Sequence, residues 1–121
     1  MKVKCTKLID EQSEEVIKNS SWLTVSKEYH VLSINIQYGS SVKFQVISDN
    51  GTPAFHNANQ FKIVSDLIPD NWVVDFDSDG FLKFEPKEWK ASEFWEQYFD
   101  GEPEAVQLFN FVKEELQSLE P

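Results

Sequence analysis

The sequence predicts an α+β domain, a curled antiparallel sheet or small barrel of about five to six strands with one or two C-terminal helices. Short segments rich in β-branched and aromatic residues, separated by turn signals such as Asn50-Gly51 and Asp79-Gly80, predict the sheet. The last segment repeats its apolar residues at helical spacing, which predicts the helix. With 121 residues, 40% of them hydrophobic, the chain is predicted to be a single domain, residues 1–121.

Alternation of residue types delimits the elements of the N-terminal half. Lys2 to Ile9 is typical of a first strand, and a helical turn capped by Ser13 is predicted over Glu11 to Lys18. Tyr29 to Gln37 is dense in β-branched and aromatic residues and predicts one continuous strand. Val42 to Val46 alternates apolar with polar residues, which predicts a strand with one solvated face.

The C-terminal half is predicted to hold a further strand, a hairpin and the helices. Phe55 and then Phe61 to Val64 indicate the strand, which the polar stretch His56 to Gln60 interrupts. Trp72 to Phe76 with Phe81 to Phe84 indicates the hairpin. A short helix is predicted from a Ser92 cap to Phe99. Pro103 suits the first position of the amphipathic helix, which is predicted to end near Ser118.

Charge is unevenly distributed along the chain, whose net charge is −10. Residues 1–65 hold six acids and seven lysines, a balance of +1, whereas residues 66–121 hold fifteen acids and four lysines, a balance of −11. All the basic residues are lysines, so the arginine that grips phosphate and reads guanine is missing. An acidic field also repels phosphate and anionic lipid. The sequence therefore predicts that neither nucleic acid nor a membrane is the partner.

The N-terminus and the cysteine content predict a compartment. Met1 to Ile9 alternates lysine with apolar or small residues and lacks the long apolar run of a signal peptide or membrane span. Cys5 is the single cysteine and cannot form an internal disulfide. Together these features predict a protein of the reducing cytoplasm.

The segment Asp75-Phe76-Asp77-Ser78-Asp79-Gly80 matches the opening of an EF-hand loop, D-x-D-x-D-G. The match fails at the twelfth position, where Pro86 replaces the bidentate glutamate, and the flanks have strand character. The segment therefore predicts an acidic hairpin, with weak calcium binding as the alternative. No cofactor is expected.

Candidate catalytic groups are few. His30 lies in the predicted strand and is expected to be half-buried, whereas His56 lies in a polar stretch and is expected to be exposed and inert. Cys5 has no recognisable partner histidine and predicts a small core thiol. No Cys/His spacing resembles a zinc site, and no glycine-rich phosphate loop is present. We expect that the protein is not an enzyme, and an acid-pair hydrolase is the least favoured alternative.

Two stretches carry a family resemblance. Trp22 to Leu32, WLTVSKEYHVL, resembles the W-L-x-V-G-K-x-Y-x-V-L opening strand of small SH3-like barrel proteins, with Ser26 in the place of the glycine. Phe61 to Trp72, FKIVSDLIPDNW, continues in the same style. Such chains include immunity proteins of contact-dependent and other polymorphic toxin systems of bacteria. The resemblance implies an SH3-like barrel that binds a toxin, and no functional residue is carried over because the matching positions look structural.

Charge and resemblance together predict an acidic protein-binding domain. The leading hypothesis is an immunity protein that covers the active site of a basic toxin, in particular a nuclease, and the alternative is a general interaction or adaptor domain without a toxin partner. Aromatic residues left exposed among the acids would serve as apolar anchors, the candidates being Trp72, Trp89, Trp95, Tyr98 and Phe99. The predicted contact residues are Asp75, Asp77 and Asp79 in the hairpin, followed by Glu93, Glu96, Asp100, Glu102 and Glu104.

Overall fold

The computed structural model of the protein describes residues 1–76 and 80–121 and shows a mixed α+β fold. Two helices lie at the C-terminal end, α1 (Phe94–Phe99) and α2 (Pro103–Leu119), and two short 3-10 helices cover Ala58–Gln60 and Lys87–Trp89. The described strands are β1 (Lys2–Cys5), β2 (Leu8–Ile9), β3 (Val16–Ile17), β4 (Glu28–His30), β5 (Ser33–Gln37), β6 (Val42–Ile47), β7 (Pro53–Asn57), β8 (Phe61–Ser65), β9 (Trp72–Phe76) and β10 (Phe81–Pro86).

The strands form open antiparallel sheets rather than a barrel. A five-stranded sheet has the order β7-β6-β5-β10-β9, a three-stranded sheet has the order β4-β1-β8, and β2 pairs with β3. None of these sheets closes on itself, because β7 and β9 end the larger sheet and β4 and β8 end the smaller one. The expected SH3-like barrel of five to six strands is therefore not what the structure shows. The coarser prediction, an antiparallel α+β fold with C-terminal helices, is confirmed.

The predicted strand from Tyr29 to Gln37 is in fact two strands in two different sheets. The Val31 N–H donates to the Met1 carbonyl at 2.9 Å in the small sheet, and the Leu32 N–H donates to the Gln45 carbonyl at 2.7 Å in the large one. Both side chains are fully buried, although alternation would place one of them in solvent. The chain crosses between sheets here because each of the two apolar side chains enters a separate core.

The N-terminal segment also differs from the prediction. The predicted first strand is split into β1 and β2, and the helical turn predicted over residues 11–18 is limited to one turn, in which the Glu14 N–H donates to the Asp10 carbonyl at 2.8 Å. The Asp10 carboxylate accepts the N–H groups of Gln12 and Ser13 at 2.8 and 3.0 Å, which closes a turn that returns the chain as β3. Ser13 accepts only the N–H of Glu15, at 3.3 Å. Local side-chain hydrogen bonds of this kind compete with helix formation.

The further strand predicted at Phe55 and Phe61 to Val64 also proves to be two strands, β7 and β8. β7 pairs with β6 in the large sheet, whereas β8 pairs with β1 in the small one. The side chain of Gln60 fixes the link between them, because it is buried and its Oε1 accepts the Ile9 N–H at 2.9 Å. A polar residue thus satisfies a backbone donor between the two sheets.

The first core lies between the two larger sheets. Val3 and Cys5 of β1 pack in one cluster with Phe44 and Val46 of β6, and all four are buried. The second core joins the helices to the sheet and contains Leu32, Trp89, Phe94, Ala105, Phe109, Val112 and Leu116. Trp72 packs against both clusters and so links the cores.

The predicted hairpin and the last helix are present. β9 and β10 pair in register from Trp72 opposite Pro86 to Phe76 opposite Leu82, while Asp77, Ser78 and Asp79 lie outside the described residues. Pro103 stands at the start of α2, as predicted. The predicted Ser92 cap is wrong, because Glu93 precedes α1 and no side chain caps it.

Ser26 has φ +75°, in the left-handed region that favours glycine. Its N–H donates to the Cys5 carbonyl at 2.7 Å, which holds this conformation against β1. A side chain at this position is therefore strained.

We predict that Ser26→Gly raises the free energy of unfolding by up to ~1 kcal/mol, because glycine removes the cost of positive φ at this position. Ser40→Gly is the control, since exposed Ser40 has no positive φ. Urea denaturation of both variants checks the prediction, and equal shifts of the same sign would contradict it.

Two phenylalanines of α2 test the second core. Phe109 is 1% exposed and Phe111 is 60% exposed, so the two share a helix and a residue type but differ in burial. We expect Phe109→Ala to lower the free energy of unfolding by about 3–5 kcal/mol. Phe111→Ala should change it by only about 0.5 kcal/mol. If chemical denaturation showed a similar loss of unfolding free energy for both variants, α2 would not pack with Phe109 inward and Phe111 outward.

Candidate acidic interface

An acidic groove lies at the junction of α1 and α2. It encloses about 610 Å³ and is lined by Glu93, Glu96, Gln97, Asp100, Glu102, Pro103, Glu104 and Ala105. Five of the eight predicted contact residues therefore meet in one concave surface. We call this surface the acidic groove.

Local backbone geometry positions these carboxylates. Gly101 has φ +79° and reverses the chain between the helices, a conformation that side chains rarely adopt. The Glu102 N–H donates to the Gln97 carbonyl at 3.0 Å, which ties the start of α2 to the last turn of α1. Glu104 lies in the first turn of α2, where the positive end of the helix dipole favours an acid.

The negative charge of the groove is not compensated by neighbouring cations. Within residues 1–76 and 80–121 the ion pairs are the Met1 amine with Glu120, Lys2 with Glu28, and Lys27 with Asp49. None of these pairs involves a groove carboxylate, and no lysine lines the groove. The groove therefore presents its charge to solvent and to an approaching partner.

The aromatic side chains of α1 pack on one another and leave one ring exposed. Phe99, which precedes Asp100, is 60% exposed, with its ring centroid 5.1 Å from that of Tyr98 and 6.0 Å from that of Trp95. Burial raises the pKa of the Tyr98 hydroxyl. Of the five aromatic candidates, Phe99 is the most exposed, whereas Trp89 is buried in the core. Phe99 does not line the acidic groove but a separate concavity, together with Gly51, Pro53 and Val106.

The hairpin acids occupy a different place. Asp75 lies on β9 opposite Lys83 of β10, is partly buried and does not line the acidic groove. The predicted contacts at Asp77 and Asp79 lie outside the described residues, as does most of the EF-hand-like turn. In the described part of the chain, no three His, Cys, Asp or Glu side chains are grouped so that they could hold a metal ion.

The prediction that His56 is exposed is wrong. His56 lies on β7 and is 8% exposed, and its Nε2 atom is 2.9 Å from the Oγ of buried Ser48. Pairing with Phe44 of β6 turns its ring inward, together with Ala54 of the same strand. Burial lowers the pKa of His56, while Glu11 acts to raise it and Lys43 to lower it. Alternation alone favours Phe55 as the inward residue of this strand, so the inward orientation of His56 depends on the pairing of β7 with β6.

The other two candidate groups behave as expected. His30 is half-buried on β4, and its Nε2 atom is 2.5 Å from the Glu120 carbonyl, so it joins β4 to the C-terminus. Cys5 is fully buried in the first core, and burial raises the pKa of its thiol. A thiol of this kind is a small core residue rather than a nucleophile.

Comparison with protein-family models, with curated proteins and with solved structures finds nothing that matches this chain. Neither helix in the described residues has the length and apolar character that crossing a membrane requires.

We predict that His56→Gln makes the stability less dependent on pH. Because the pKa of His56 is lower in the folded protein than the usual 6.5, the unfolded chain binds more protons, so stability is lost as the pH falls through 6.5. Unfolding free energies of both proteins, measured from neutral pH to pH about 5, should converge toward the acidic end. If the unfolding free energies of the two proteins changed in parallel with pH, the pKa of His56 would not differ between the folded and unfolded states.

Proposed function

We propose that this chain is an acidic protein-binding domain, an immunity protein that binds and neutralises a basic toxin by covering its active site. The observation that carries the proposal is the uncompensated acidic groove between α1 and α2. A concave surface with several carboxylates and no cation in its lining suits lysine and arginine side chains of a partner.

The chemistry of the groove favours a nuclease as the toxin. Nucleases bind phosphate with basic clefts, and a carboxylate surface presents to such a cleft the same sign of charge as its substrate. Bound there, the acidic domain would exclude nucleic acid from the active site. The resemblance of Trp22 to Leu32 and of Phe61 to Trp72 to immunity proteins supports the same proposal.

The charge also has a kinetic role. Complementary fields raise association rates by roughly 10–10³-fold at low ionic strength, and salt weakens the effect. An inhibitor of a lethal enzyme gains from fast association, because it must reach the enzyme before the substrate does. Phe99, exposed at the end of α1 and lining a separate concavity with Gly51 and Pro53, would add apolar contact area for a partner that extends beyond the groove.

A direct test uses a basic protein retained by the immobilised chain at low salt and released by a salt step, with the product of the neighbouring gene as the first candidate. We expect the chain to abolish the catalytic activity of that protein at equimolar concentration. Inhibition identifies toxin neutralisation, whereas tight binding without inhibition identifies an adaptor domain.

Charge reversal locates the contact. We predict that the triple variant Glu96→Lys, Asp100→Lys, Glu102→Lys lowers the association rate constant about tenfold or more and removes most of its salt dependence. The control reverses the exposed acids Glu11, Glu14 and Glu15, which changes the net charge equally at a different place. Stopped-flow kinetics at low and high ionic strength measures both.

Equal effects of the two variants would contradict the assignment of the contact to the groove, because only the net charge would then matter. Circular dichroism and thermal midpoints establish that both variants are folded.

A further inference from the structure

Strand β9 lies at an open edge of the five-stranded sheet. It pairs with β10 on one side, and among the described residues no strand pairs with its other side. Apart from that pairing, the one backbone hydrogen bond described for residues 72–76 runs from the Trp72 N–H to the Pro69 carbonyl at 3.2 Å. The strand therefore has backbone groups on its outer edge that a further strand could pair with.

The side chains of β9 that face the apolar side of the sheet are exposed. Phe76 is 72% exposed and Val74 is 53% exposed. Cross-strand pairing continues from Phe76 through Leu82 and Ile36 to Val42, a row of apolar residues across four strands, of which Val42 is 37% exposed. An added strand would extend an apolar surface that already exists.

Sequence features that normally protect an edge are few in β9. Natural edge strands are short, or carry charged residues, above all lysine, or proline or bulges that prevent pairing with other chains. β4 has three residues, β7 begins with Pro53 and β8 contains Lys62. β9 reads WVVDF, with five residues, no lysine, no proline and Asp75 as its one charged side chain.

The negative charge of the chain favours a basic protein over a second copy of the chain as the partner at this edge. Asp75 alternates with Val74 and Phe76 and so faces the opposite side of the strand. On that side Lys83 of β10 lies directly opposite Asp75, and Glu85, 7% exposed, lies opposite Val73. Beyond this local pair, the chain from residue 66 onward carries a charge of −11. A second copy of the chain, with its own net charge of −10, would meet like charge here.

We propose that the edge of β9 accepts an extended segment of a basic protein as a sixth strand of the large sheet. Its apolar side chains would contact Val74 and Phe76, and its cationic side chains, alternating with them, would face Asp75. The inference rests on the proposed function in one respect, which is that the partner is basic. It adds a second contact, formed through the backbone, to the acidic groove.

The test uses a short synthetic peptide of alternating valine and lysine, with blocked termini, titrated into the labelled full chain and followed by NMR. We expect amide shifts and slowed hydrogen exchange in residues 72–76. Two control peptides separate the causes: glutamate in place of lysine reverses the charge, and N-methylation of alternate amides removes backbone donors while keeping the charge. Neither control peptide should perturb β9.

Two double variants test whether the peptide binds at β9. Val74→Lys with Phe76→Lys adds two cations to the β9 edge, whereas Ile63→Lys with Val64→Lys adds two to β8, where both residues are about as exposed, at 51% and 49%. We expect the β9 variant to weaken peptide binding about tenfold, or ~1.4 kcal/mol, and the β8 variant to leave it unchanged. Unfolding curves establish that both are folded.

Several results would overturn the inference: equal binding of the N-methylated peptide, shifts confined to the acidic groove, or a concentration-dependent dimer through β9 that excludes the peptide. A chain that binds this peptide at β9 but inhibits no basic protein would refute the proposed function and leave the edge site intact. If the chain inhibits its basic partner while β9 stays unperturbed, the edge site would be refuted and the proposed function would remain.

Discussion

Burial of Trp89 is the interaction on which the arrangement of the C-terminal half depends. The indole is 1% exposed and stacks on Phe109 at 5.2 Å and on Phe94 at 6.2 Å, with Trp95 edge-on at 5.4 Å. These contacts join the end of the β9–β10 hairpin to both helices, because Trp89 ends the 3-10 helix that follows β10, Phe94 lies on α1 and Phe109 lies on α2. Without them the short helix α1, which lacks a side-chain cap, would be held mainly by α2, through Tyr98 and Trp95 against Phe109 and the bond from Glu102 to Gln97. The position of the groove carboxylates relative to the sheet therefore depends on Trp89.

The described ion pairs and the unpaired acids of the groove lie in different parts of this fold. The three described ion pairs all involve residues 1–49, two of them within that segment and one reaching Glu120. The acids of α1 and the start of α2 have no such partners and repel one another, which lowers stability. Net stability then rests on the two apolar cores, and the unpaired acids remain available to a basic surface.

Local signals predicted part of this structure and tertiary constraints decided the rest. The β9–β10 pairing, Pro103 at the start of α2 and the contiguous acids of the groove follow from residues close in sequence. The crossing at Val31 and Leu32, the inward ring of His56 and the open sheets depend on pairings between distant strands, which alternation cannot specify. The exposed edge of β9 has the same origin, because strand order decides which apolar strand remains uncovered.

Hydrogen–deuterium exchange of the chain, free and bound to its basic partner, tests the central claim most directly, because it reports the contact residue by residue without mutation. The account predicts slower exchange on binding in residues 93–105, which contain the acidic groove, and in residues 72–76 where the partner adds a strand. Protection confined to β4, β1 and β8, with both of these regions unchanged, would contradict it.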